Sequence, residues 1–148
     1  MKKIYFLILF LVSVSVMAAS NQVGIGGMIG NPTGINAKYW LSESRAVDAG
    51  MAYSFSKRTS IGIHSDYLLH KDGAFYFNDV YPLDFYYGVG GRILFGDSLD
   101  LGVRAPIGLA HRFKDQPVDI FAEIAPILDL ISKTGFELHL ALGGRFYF

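Results

Sequence analysis

Apolar and polar side chains alternate with a period of two in eight segments of this chain. The segments are 22–30, 35–41, 47–55, 60–69, 84–95, 99–109, 118–125 and 135–148. Successive side chains of a β-strand point to opposite sides, so each segment is predicted to be a strand with one apolar and one polar face. Pro106 cannot donate a ladder hydrogen bond, and we expect a bulge or break there in the sixth strand.

The last segment ends on Phe148, the final residue of the sequence. Its apolar face carries Phe136, Leu138, Leu140, Leu142, Phe146 and Phe148. A strand that closes a barrel has no free edge, and an apolar face that meets lipid needs no protein layer to cover it. We therefore expect the last segment to close a β-barrel.

The opposite faces of the segments collect charged and ionisable side chains. These are Lys38, Asp48, His64, Asp66, Arg92, Asp100, Arg104, Asp119, Glu123, Glu137, His139 and Arg145. Membrane barrels and soluble barrels both alternate with a period of two, so the pattern alone leaves open which face points inward. Glycine and alanine between the charged positions, aromatic residues near the strand ends and the terminal Phe148 favour a polar interior.

Residues 1–19 have the composition of a signal peptide. Lys2 and Lys3 precede an almost unbroken apolar run over Ile4–Val16, and small residues follow it. The run is shorter than the roughly 20 residues that a membrane-spanning helix needs. We expect cleavage near Ala18 to Ser20, leaving one domain over residues 20–148.

The amino-acid composition further limits the class of protein. Aromatic residues make up 15% of the chain and there are 17 glycines, which favours strands and tight turns over helices. The chain has no cysteine, so a disulfide scaffold is excluded. Its formal net charge is zero and its basic residues are dispersed, which argues against a nucleic-acid partner.

The signal peptide, the eight alternating strands and the terminal residues Arg145 to Phe148 together resemble the small eight-stranded outer-membrane β-barrels of Gram-negative bacteria, the OmpA/OmpX size class. The resemblance implies an antiparallel up-and-down transmembrane barrel in contact with outer-membrane lipid, without a cofactor. It also implies that the barrel-assembly machinery reads the last strand. The positions that fit this signal are Leu140, Leu142, Phe146 and Phe148, whereas Gly144 lies where a bulky apolar residue is usual.

The interior of an eight-stranded barrel is just wide enough to be filled by side chains, so an open aqueous pore is not expected. A charge in such an interior needs a partner, because an unpaired buried charge costs several kcal/mol. The charged set above is therefore predicted to form a structural ion-pair network. A narrow conduit, or a proton-sensitive gate around His64, His139 and Glu137, remains an alternative, as does a secreted lipocalin-like calyx for an apolar ligand.

Two residue patterns contain the residue types of a catalytic site or of a metal site. His64, Ser65 and Asp66 are the residue types of a catalytic triad, and a lipid A or phospholipid hydrolase of barrel architecture is one alternative. Ser65 points away from its two neighbours in a strand, so no relay is expected without a bulge, and we predict no catalysis. His64 and His139, with Asp66 or Glu137, lack the tight spacing of known metal sites, and no metal is predicted.

The longest predicted connection runs from about His70 to Leu83. It is the fourth connection, so it lies at the end of the barrel that carries both termini, which is periplasmic in the resembling class. Only short turns are then expected at the opposite end. That expectation weakens any role that depends on large surface loops, such as adhesion.

Overall fold

The computed structural model describes residues 21–54, 60–131 and 135–148. Nine β-strands are assigned within these residues: β1 (Val23–Asn31), β2 (Thr33–Ser42), β3 (Arg45–Ser54), β4 (Ser60–Phe77), β5 (Tyr81–Phe95), β6 (Leu99–Arg104), β7 (Ile107–Arg112), β8 (Val118–Asp129) and β9 (Gly135–Tyr147). No helix in these ranges is long and apolar enough to cross a membrane. The predicted signal peptide and the predicted strand residue Phe55 lie outside the described residues.

The strands close into a ring in which every strand is antiparallel to its neighbours. Consecutive strands pair along the chain except β6 and β7, and β9 returns to pair with β1 from Gly24 opposite Tyr147 to Asn31 opposite Leu140. We call the end where β1 begins and β9 ends the near rim, and the opposite end the far rim. The predicted closure by the last strand is confirmed.

The predicted sixth strand is present as β6 and β7, which are separated at Ala105 and Pro106. Both halves lie between β5 and β8, so the two short strands occupy one position in an eight-position barrel. The two residues at the break still form backbone hydrogen bonds with the neighbouring strands. The Pro106 carbonyl accepts from the Gly88 amide of β5 at 2.9 Å, and the Ala105 amide donates to the Pro126 carbonyl of β8 at 3.0 Å. Proline lacks an amide hydrogen, which explains the local break that the sequence predicts.

The polar faces point inward and the apolar faces outward. Arg104 is only 1% exposed, whereas Ile29 is 67% and Leu142 is 59% exposed. Small and aromatic side chains such as Ala46, Ala52, Tyr86 and Phe121 fill the interior around the charged ones. The interior is therefore not the apolar cavity that a lipocalin-like calyx requires.

The predicted long connection between His70 and Leu83 is wrong. The fourth strand continues to Phe77 and the fifth begins at Tyr81, so the connection is a short turn at the tip of a hairpin. The Val80 amide donates to the Phe77 carbonyl at 3.2 Å, and Asn78 and Asp79 both have positive φ, as a type I′ turn requires. A register shift between Lys71 and Phe75 breaks the two-residue alternation, and this break hid the strand continuation in the sequence.

Candidate functional site

The middle of the lumen is organised around Arg104 at the end of β6. Its Nε lies 2.8 Å from Asp66 Oδ2 on β4, and its Nη2 donates to Glu123 Oε1 on β8 at 2.7 Å. The Tyr86 hydroxyl on β5 donates to the other oxygen of Glu123 at 3.0 Å. The guanidinium thus joins β4, β6 and β8, and Tyr86 adds β5 through Glu123. One positive charge lies between two carboxylates that have left water.

A second group lies toward the far rim around Arg92 on β5. Its Nη2 lies 2.5 Å from Asp129 Oδ1 on β8, and its Nη1 lies 2.7 Å from Glu137 Oε2 on β9. The same Nη1 is 3.1 Å from His139 Nε2, which in turn is 3.5 Å from Glu137. These residues hold β5, β8 and β9 together across the barrel.

Two groups occupy the near-rim half of the lumen. In one, the Tyr147 hydroxyl donates to Asp119 at 2.7 Å, and Arg145 lies 3.6 Å from the same carboxylate with its guanidinium 4.0 Å from the Phe121 ring centre. In the other, Arg112 pairs with Asp84 at 2.7 Å. The first group joins β8 to β9, and the second joins β5 to β7.

The second near-rim group continues around Trp40, the single tryptophan of the sequence. Lys38 Nζ lies 2.8 Å from His70 Nε2 and 4.4 Å from the Trp40 ring centre. The His70 and Trp40 ring centres are 4.5 Å apart, and the Arg112 guanidinium lies 5.0 Å from the same indole. A cation on an aromatic face is stabilised by the ring quadrupole, so this group offsets part of the cost of burying Lys38.

Some predicted network residues are not brought into ion pairs. Among the described residues, neither Asp48 nor Asp100 takes part in one. The Oδ1 atom of each is buried and lacks a hydrogen-bond partner. Lys38 contacts a histidine instead of a carboxylate. His64 is buried in the lumen, directly opposite Arg92 on the neighbouring strand.

Sequence reasoning left several lumen residues out of the predicted network. They are His70, Asp84, Tyr86, Arg112 and Asp129. Each lies an even number of residues from a residue of the predicted network. The two residues share a strand in every case except Arg112, which lies on β7 while Arg104 lies on β6. Extending the two-residue alternation to the true strand ends would have found His70, Arg112 and Asp129. Asp84 and Tyr86 already lay on the polar face of the predicted fifth strand and were left out of the network.

The triad residue types are separated by the barrel wall. Ser65 faces outward, where its hydroxyl donates to the Asp48 carbonyl at 2.9 Å, while His64 and Asp66 are buried inside. This arrangement does not place the hydroxyl beside an imidazole base.

The residues of the predicted assembly signal line the outer face of β9. Leu140, Leu142 and Phe146 are exposed, and Phe148 follows the strand with its ring centre 5.2 Å from that of Phe146. Gly144, the departure from the usual pattern, pairs with Gly27 on β1 and Ile120 on β8.

No family model matches the chain, and no curated protein matches it in sequence. Two solved structures resemble it. The N-terminal β-barrel domain of OprF from Pseudomonas aeruginosa superposes with a TM-score of 0.63 at 16% identity, over 86% of this chain and 98% of that one. Neisserial surface protein A (NspA) superposes with a TM-score of 0.58 at 15% identity, over 85% of this chain and 93% of that one.

The chain has the fold of the small eight-stranded outer-membrane barrels. The predicted fold class, an all-β antiparallel closed barrel, is therefore confirmed. At these identities the likeness concerns the backbone architecture.

Proposed function

We propose that the protein is an integral outer-membrane β-barrel with a structural role in the Gram-negative envelope. The observation that carries this proposal is the inverted distribution of side chains, polar inside and apolar outside. Apolar residues are exposed on every strand position of the ring, including Ile35, Met51, Ile63 and Val89. A continuous apolar girdle of this kind is unfavourable in water and is typical of a surface that meets lipid.

The lumen of this barrel is proposed to be a closed, ion-paired interior without catalytic function. Its support is the set of charge pairs that join distant strands, above all Arg104 with Asp66 and Glu123. A pair of this kind fixes the relative position of strands, since removing either partner leaves a buried charge uncompensated. The outward position of Ser65 supports the absence of a hydrolase relay in this segment.

Export and assembly complete the proposal. Residues 1–19 act as a cleaved signal peptide, and the apolar face of β9 is the segment that the barrel-assembly machinery binds. Its support is the apolar alternation of Leu140, Leu142 and Phe146, all of which are exposed outside the barrel. The outer-membrane lipid is then the permanent partner of the remaining apolar girdle.

The decisive experiment is fractionation of cells that express the full chain, followed by gel electrophoresis of the membrane fraction with and without heating. We expect the protein in the outer membrane, processed at its N-terminus, and migrating differently when unheated, because a closed barrel resists detergent unfolding. A known periplasmic protein and a known inner-membrane protein serve as fractionation controls. Recovery of folded protein in the detergent-free periplasmic fraction would overturn the proposal.

A further inference from the structure

Three buried side chains on two neighbouring strands converge at one point of the lumen wall. Asp48 on β3 stands directly opposite Asp66 on β4, and His64 lies two residues before Asp66 on the same face. One potential metal-ligating atom from each of the three lies within 4.8 Å of the others. Their exposed fractions are 3%, 5% and 1% for Asp48, His64 and Asp66.

The two carboxylates carry free acceptor atoms at this point. Oδ1 of Asp48 and Oδ1 of Asp66 are buried and have no hydrogen-bond partner. Lys38 stands opposite Asp48 on β2, yet its ammonium contacts His70 at 2.8 Å. Like charges directly opposite each other in a sheet are destabilising, and a buried carboxylate oxygen without a partner is costly. Arg104 forms an ion pair with Asp66, whereas no ion pair among the described residues includes Asp48, so a further positive charge between the two carboxylates would be stabilising.

The neighbouring strands leave room for this convergence. Gly50 pairs with His64 and Gly90 pairs with Asp66. A Cβ added at Gly50 would collide with the imidazole ring, and one added at Gly90 would collide with Asp66 Oδ1. The His64 and Asp66 side chains thus pack directly on the backbone of these glycines. Any larger residue at Gly50 or Gly90 would displace a potential ligand.

We propose that Asp48, His64 and Asp66 form a binding site for a divalent transition-metal cation of the Zn²⁺ type. An imidazole and two carboxylates are a donor set that Zn²⁺ accepts, and three protein ligands leave a fourth position for water. Ca²⁺ and Mg²⁺ prefer all-oxygen sets of six or more ligands, so this set does not suit them. Two ionised carboxylates neutralise the charge of the cation.

Arg104 supports the proposed site without taking part in coordination. Its Nε forms an ion pair with Asp66 Oδ2 at 2.8 Å, and Oδ1 lies outside this pair. Groups outside the ligand set commonly fix the position of a metal-binding carboxylate. The ligands come from two strands, and for that reason their spacing along the sequence did not reveal the site.

The test uses untagged chain refolded from denaturant into detergent, with either Zn²⁺ or a chelator present, because the site is too buried to rely on entry after folding. After removal of free metal, bound zinc is measured by elemental analysis, and stability by the temperature at which heat-modified gel migration changes. We expect one zinc per chain and a higher transition temperature after refolding with Zn²⁺.

Two conservative variants, Asp48→Asn and His64→Gln, should refold but lose most of the bound zinc and its effect on the transition temperature. His139→Gln is the matched control, since it alters another buried lumen histidine outside the set and should keep the zinc. Equal zinc in His64→Gln and the control would overturn the assignment. Wild-type protein free of zinc, together with a more stable Asp48→Asn variant, would also overturn it and would indicate a proton shared by the two carboxylates.

Discussion

At the scale of single residues, the lumen depends on a few guanidinium groups that each serve two acids. Arg104 is the most enclosed of them, and it forms ion pairs with Asp66 on one side and Glu123 on the other. Neither acid can turn toward water without leaving the barrel interior. The stability of this region therefore depends strongly on the Arg104 side chain.

Arg104→Ala should destabilise the barrel strongly. It leaves two buried carboxylates uncompensated, and breaking a buried pair typically costs about 3–5 kcal/mol. The measurement is urea unfolding in detergent, followed by gel migration. Arg45→Ala removes an exposed arginine at the near rim and serves as the control, with an expected change within about 0.5 kcal/mol. Equal unfolding midpoints for the two variants would show that Arg104 is solvated.

Two adjacent glycines of β5 should respond differently to the same small change. An added Cβ at Gly90 would collide with the Asp66 side chain and with the Ser65 carbonyl, whereas at Gly91 it would meet only the Gly102 carbonyl at 3.8 Å. We expect Gly90→Ala to lower the yield of refolded barrel and its transition temperature, and Gly91→Ala to refold like the wild type. Refolding yields on unheated gels compare the two directly; equal yields would contradict the packing at Gly90.

At the scale of elements, β4 and β5 extend past their other neighbours as a two-stranded ribbon, residues 71–83. The last ladder pair between β3 and β4 is Arg45 with Leu69, and the first between β5 and β7 is Asp84 with Ala110. His111 donates to the Pro82 carbonyl at 2.8 Å and ties the ribbon to the barrel. The ribbon therefore projects from the near rim and carries exposed aromatic residues with it.

The ribbon also shows where sequence reasoning fails. Strict alternation identified all eight strand positions, because it follows from the pleat, and the missing proline amide predicted the break at Pro106. The inward polar face was predicted from the small residues between the charged positions, the aromatic residues near the strand ends and Phe148. It failed beyond His70, where a bulge shifts the register and Gly73 takes a positive φ. The asymmetric contacts of the lumen, such as Lys38 with His70, depend on barrel closure and could not be predicted from spacing along the chain.

The ribbon and the far-rim turns should face opposite sides of the membrane. The chain contains no cysteine, so single cysteines introduced as Val80→Cys in the ribbon and Ser98→Cys at the far rim can be labelled without background. With a membrane-impermeant maleimide, we expect Ser98→Cys to react in intact cells and Val80→Cys to react only after the outer membrane is opened. The reverse result would mean that the barrel is inserted with its near rim outward.

At the scale of the whole molecule, the closed ring surrounds an interior that side chains fill at mid-height. Lys38, Tyr86 and Arg104 are each 1% exposed or less, and they come from three different positions of the ring. Buried side chains from several strands at this level support the closed interior that we propose, and the exterior of the described strands is apolar.

Purified protein inserted into planar lipid bilayers should add no steady ion conductance. The reason is the layer of buried side chains at mid-height, since the interior of an eight-stranded barrel is just wide enough for side chains to fill it. A large-pore porin examined in the same bilayers establishes that insertion is detected, and recovery of folded protein from the bilayer confirms insertion of this chain. Stable conductance steps in the wild type would contradict the sealed interior.

Trp40 gives the barrel a built-in optical reporter. The indole is the chain's single tryptophan, and it lies against a lysine, an arginine and a histidine at the near rim. Its emission should therefore register the moment when β2, β4 and β7 come together, because the histidine lies on β4 and the arginine on β7, and the closed ring brings both to the indole. Barrel closure can then be timed in lipid vesicles by fluorescence alone, without a dye, a tag or a substitution.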